Sequence, residues 1–178
     1  LGAEIPQDGF VSAITAEGDL FDEWSSNTVE ARVTQAAAVA IPTSRVSQKV
    51  DLLDPSIATG TNNAAGYVVM GPLTDGFRKL AFVHEFAHIL HFPAAPGDGL
   101  FASQATVEGF ARYMETVSGE EDRDLVTSAV KASVAERGAD AMSESQFNSA
   151  EANTAYDAAG SYYTFVAEQG GDPWALAV

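Results

Sequence analysis

The chain of 178 residues contains no cysteine. Disulfide frameworks, thiolate metal sites and cysteine nucleophiles are therefore excluded. Long apolar runs are missing too. The longest, Ala36 to Ile41, falls far short of the ~20 residues a membrane-crossing helix needs. Positive charge is scarce: nine Lys and Arg stand against 25 Asp and Glu, for a net charge of −16. The acids are spread along the whole chain, and such a surface argues against nucleic acid and anionic membrane as partners. The chain opens on Leu1 and not Met, and stops soon after a new helix start at Pro173. It reads as a form trimmed at both ends, any signal peptide or anchor having been removed upstream. What remains, with 46% hydrophobic residues, suffices for one globular domain with a substantial core.

Histidine is also rare, but it is concentrated. His84, His88 and His91, the only three, fall within Phe82-Val83-His84-Glu85-Phe86-Ala87-His88-Ile89-Leu90-His91. From His84 this reads H-E-x-x-H, which a chain of this composition contains by chance roughly once in 300. On a helix, residues four apart share a face, so His84 and His88 can offer two imidazoles to one point. Glu85 then sits within reach of a water beside the metal, as in a mononuclear zinc hydrolase. The surrounding residues, among them Phe77, Leu80, Phe82, Val83, Phe86 and Ile89, are apolar nearly all round the helix, which predicts burial. A lone histidine there would be an ordinary core residue. Three histidines and a glutamate are too costly to bury unless paired or bound to metal.

Phe10 to Ile14 and Leu20 to Trp24 are short apolar patches. Val33 to Ile41 reads as a helix or a buried strand, with strand favoured at the end before Pro42. Ser56 to Gly60 and Gly66 to Met70 are strand candidates about a Gly60-Thr61-Asn62-Asn63 turn. Thr74 or Asp75 caps the H-E-x-x-H helix, and Phe92 to Gly99 is expected to be loop. Ser103 caps a helix over 104–117. Further helices are expected over 121–137, near 143–148 and over 153–169, the last ended by Gly170-Gly171 ahead of Asp172-Pro173-Trp174. The expected fold class is α+β: a small β-sheet packed on the H-E-x-x-H helix, followed by a mostly helical C-terminal part. Residues 1–178 then form a single catalytic domain, with room for two lobes parting near 92–103.

A catalytic zinc usually takes three protein ligands. His91 is poorly placed, because one continuous helix cannot easily wrap three ligands about a metal. Second shell or pocket wall suits it better. Glu108, in Val107-Glu108-Gly109-Phe110-Ala111-Arg112-Tyr113, is the natural completion. It leaves room for a loop and a returning helix, and Gly109 and Ala111 allow close approach. The pair H-E-F-A-H and V-E-G-F-A-R-Y resembles the gluzincin metallopeptidases, above all the small peptidase-MA-like proteins, over roughly residues 33–170. The resemblance implies zinc ligands at His84, His88 and Glu108, a general base at Glu85, and hydrolysis of a peptide or protein substrate. The expected location is the bacterial cell envelope or exterior, with the cytoplasm as the alternative, since the lack of cysteine fits either.

The resemblance has departures. Many relatives carry an acid four residues after the glutamate ligand, where this chain has Arg112; the partner of a ligand histidine is thus left open, with Glu115 one candidate. The aminopeptidase signature G-A-M-E-N is absent. The metzincin pattern fails, because it needs Gly at 91 and a third His at 94. Related peptidases stabilise the oxyanion with Tyr or His, for which Tyr156 is favoured over Tyr162 and Tyr163. Tyr162 reads as core, and substrate is expected to add along residues 66–70 as an edge strand. A di-iron site is excluded for want of a second Glu-x-x-His. The alternative function is a non-catalytic binding module that retains the zinc site.

Overall fold

A short, nearly continuous apolar run with β-branched Val68 and Val69 makes Ala64–Met70 a strand, and it becomes the centre of the sheet. The structure, a computed structural model, describes residues 10–15, 38–42, 64–71, 73–94, 103–118 and 124–178. The expected elements at Leu20 to Trp24 and Ser56 to Gly60 lie outside these. Chain packing forms two compact units, divided between Leu90 and His91.

The unit before that division holds strands β1 (Phe10–Thr15), β2 (Ala38–Pro42) and β3 (Ala64–Met70). Their order is β1-β3-β2. β3 runs parallel to β1, with Thr15 opposite Met70, and antiparallel to β2, with Ala38 opposite Met70 and Pro42 opposite Gly66. Val68 and Met70 face one side and Val69 the other, and all three are buried. Residues 66–70 are thus not an edge strand. Their main-chain groups are engaged on both sides, so β-addition of a substrate cannot occur there. Among the described residues β1 and β2 form the edges, where the proline of β2 is tolerated.

Helix α1 (Asp75–Ala94) carries the H-E-x-x-H motif. The Thr74 carbonyl accepts the Arg78 N–H at 2.8 Å and opens the helical ladder. Ile89 forms a buried cluster with Ala38, Val68 and Met70, and Ala81 and Phe82 pack against it. Burial all round the helix is reached only toward its C-terminal end; Phe77 in the first turn is 68% exposed. Residues 92–94 are helical, not loop. A proline in the last turn removes one terminal hydrogen bond, so Pro93 ends the helix within a residue and not ahead of itself.

The unit from His91 onward is helical: α2 (Gln104–Val117), α3 (Ser128–Arg137), a 3-10 helix (Gly138–Met142), α4 (Glu144–Phe147), α5 (Ala152–Glu168) and α6 (Pro173–Ala177). α2 begins where expected because Ser103 Oγ accepts the Thr106 N–H at 3.2 Å. α3 begins at Ser128, later than the expected 121. Asp124 Oδ1 takes the Val126 N–H at 2.8 Å, Leu125 is buried, and Thr127 Oγ1 caps Val130 at 3.2 Å. These contacts hold 124–127 out of the helix.

α5 ends as the sequence implies. Gly170 adopts φ of +77°, Gly171 donates to the Val166 carbonyl and Gly170 to that of Ala167, a Schellman arrangement. Asp172 then caps α6, with Pro173 in its first turn. α2 and α5 touch backbone to backbone: a Cβ on Gly109 would lie 2.8 Å from that of Ala159. Phe110 is fully buried, its ring 5.5 Å from Trp174 and 5.7 Å from Tyr163. The described residues are therefore mostly helical with a small mixed sheet, an α+β fold. No helix among them is long and apolar enough to cross a membrane.

Candidate metal centre

His84 and His88 lie one turn apart on α1, their ring centroids 4.8 Å apart and their planes at 86°. Glu108 stands in the second turn of α2. One nitrogen from each imidazole and one carboxylate oxygen of Glu108 all lie within 4.8 Å of one another. His88 is buried and the other two are partly buried. This group can hold a metal ion. Two imidazoles and a carboxylate, without thiolate, match the donors of hydrolytic zinc sites and also of some iron sites.

Glu85, beside His84 on α1, is partly buried and is not among the three converging donors. His91 is not among them either. It is fully buried, and its Nε2 hydrogen-bonds the Ala177 carbonyl. A carbonyl can only accept, so Nε2 carries the proton. This tie to α6 was not foreseen from the sequence.

The tyrosines of α5 sort differently from the sequence reading. Tyr162 is 49% exposed, not core, while Tyr163 is 2% exposed. Tyr163 donates its hydroxyl to the Thr106 carbonyl at 3.0 Å, and burial, with neighbouring Tyr162, pushes its pKa up to about 12. Tyr156 is partly buried and packs edge-on against Phe147 at 5.1 Å.

Arg112, four residues after Glu108, binds two buried carboxylates. Its Nε and Nη2 both lie 2.9 Å from Asp157 Oδ1 on α5, and Nη1 donates to Glu115. Glu115 and Asp157 are 4% and 5% exposed. Burial works to lower the Arg112 pKa, but the two charges and their hydrogen bonds outweigh it and hold it above its ordinary value. Asp157 was missed in the sequence. Its only signal there was an acid on the small-residue face of α5.

No protein-family model matches the chain, and neither curated proteins nor solved structures provide a match.

Proposed function

We propose that this protein is a zinc-dependent metallopeptidase of gluzincin type, with His84, His88 and Glu108 as metal ligands and Glu85 as general base. The observation that carries this reading is the convergence of those three donors within 4.8 Å, with a glutamate directly after the first. Zinc held by this donor set supplies Lewis acidity for activating water and polarising a carbonyl. Glu85 takes the proton of the attacking water and delivers it to the leaving amine. Oxyanion stabilisation is assigned to Tyr156; Tyr163 already donates its only proton to Thr106, and Tyr162 points to solvent by its exposure. The substrate is a peptide or protein, and the place of action is the cell envelope or exterior. A glutamate beside the first ligand supports a hydrolytic centre over a purely structural metal site, which has no need of a general base.

Metal analysis of purified protein, with a peptide-library screen near neutral pH, tests this. Zinc is expected at one equivalent, lost in Glu108→Ala and kept in His91→Ala. Glu85→Gln keeps fold and zinc, and hydrolysis drops by at least ~10²–10⁴-fold. Unchanged turnover in Glu85→Gln removes Glu85 from the mechanism. Zinc without any cleavage by the wild type favours the binding-module alternative.

A further inference from the structure

Glu108 is a single carboxylate on a helix, so its usefulness as a ligand depends on how firmly that helix is held about its own axis. A side-chain tip lies ~5–6 Å from a helix axis, so a 10° rotation moves it by ~1 Å. Metal–ligand distances tolerate only ~0.2 Å. α2 therefore needs a rotational stop close to Glu108.

The structure contains two, one beside that residue and one a turn further on. Gly109 meets the Ala159 backbone, where a Cβ would come within 3.0 Å of the Ala159 carbonyl carbon. One turn on, the Arg112 stem lies against Gly160, where a Cβ would approach Arg112 Cγ to 2.9 Å. Its planar guanidinium is held at one edge by Asp157 of α5 and at the other by Glu115 of α2. Glu108, Arg112 and Glu115 are spaced four and three apart, along one stripe of the helix. A fork fixed at two edges resists rotation in a way that a flexible ammonium does not.

We infer that Asp157, Arg112 and Glu115 are positioning residues for Glu108: the charged clamp between α5 and α2 sets the orientation of the third metal ligand. This rests on the metal-centre reading above. The clamp acts through helix α2 and touches neither metal nor substrate.

The test is titration of metal-free protein with Co²⁺, read by the visible absorption of the bound ion, together with thermal melting without metal. Arg112→Lys keeps the buried charge but loses the fork. It is expected to bind Co²⁺ ~10–100-fold more weakly, with an altered spectrum. The triple variant Arg112→Met, Glu115→Leu, Asp157→Leu replaces the clamp with apolar packing, a change that commonly restores or raises stability. It is expected to melt near the wild type and still bind Co²⁺ weakly, which separates positioning from mere support of the fold. Wild-type affinity and spectrum in either variant overturns the inference, and Arg112→Lys alone decides it if the triple variant does not fold. Glu108→Ala is the control: if the wild type binds no more Co²⁺ than Glu108→Ala, the metal-centre reading fails and takes this inference with it.

Discussion

Tyr163 joins three properties in one side chain: near-complete burial, a hydroxyl donated to Thr106, and a pKa pushed up to about 12. In the unfolded chain a tyrosine titrates near ~10. Between those values the unfolded state loses a proton that the folded state keeps, so stability is full below the lower value and falls as pH rises through the window. The fall amounts to ~2–3 kcal/mol. Tyr113, raised by burial and by the charge of Asp172, tilts the curve the same way. Tyr163→Phe is expected to cost ~1 kcal/mol at neutral pH through the lost hydrogen bond and to flatten the alkaline decline. Urea denaturation across that range checks it, and an unchanged alkaline slope would refute the assignment. The group of His84, His88 and Glu108, which could hold a metal ion, was legible in the sequence because the two histidines share one short run and Glu108 lies in a distinctive helix of its own. Asp157 was not legible: its partner Arg112 is 45 residues away, and no local spacing links them.

At the scale of elements, the α2–α5 contact is the one that tolerates least change. Gly109→Ala would gain up to ~1 kcal/mol of helix propensity. It would also force a Cβ to within 2.8 Å of Ala159, an overpacking that costs ~1–3 kcal/mol. The expected net effect is destabilisation, partly relieved when Ala159→Gly is added, and a double-mutant cycle by chemical denaturation measures the coupling. Additive effects would mean that the two helices do not meet at these positions. Caps were the most readable features of these elements, since Ser103 and the Gly170-Gly171-Asp172-Pro173 stop-and-start act locally. The start of α3 escaped in part because the burial of Leu125 is a tertiary contact, although the Asp124 turn and the Thr127 cap that also set it are local. The inward face of α5 escaped for a similar reason. Small residues, Ala155 and Ala159, define it, and the bulky Tyr162 and Phe165 are left outside, the reverse of what apolar size suggests.

For the molecule as a whole, a net charge of −16 sets its response to salt. Raising ionic strength from ~0.01 M to ~0.15 M shortens the Debye length from ~30 Å to ~8 Å and screens the mutual repulsion of the acids. The same salt weakens exposed pairs such as Arg78–Asp75 and Arg137–Glu151, but each contributes at most ~1 kcal/mol. Repulsion dominates, so the melting temperature is expected to rise with added NaCl. A fall on titrating salt by calorimetry would show that attractive pairs outweigh it. The α+β class was legible from the order of strands and helices along the chain, whereas the central place of β3 was not. Strand order is fixed by pairing with β1, some fifty residues earlier, a relation that periodicity within one strand does not carry.

The buried Asp157–Arg112–Glu115 cluster also bears on how this sequence can drift over generations. Removing Arg112 strands two carboxylates in the interior, at a cost of ~3–5 kcal/mol, removing one carboxylate leaves the other paired with the guanidinium, and exchanging all members for apolar residues costs little. With natural domains stable by only ~5–15 kcal/mol, losing Arg112 first consumes a large share of the folded protein's margin. The three positions are therefore coupled in descent. A lineage is expected to lose Arg112 only after, or together with, Glu115 and Asp157, so that an arginine at 112 persists wherever both carboxylates do.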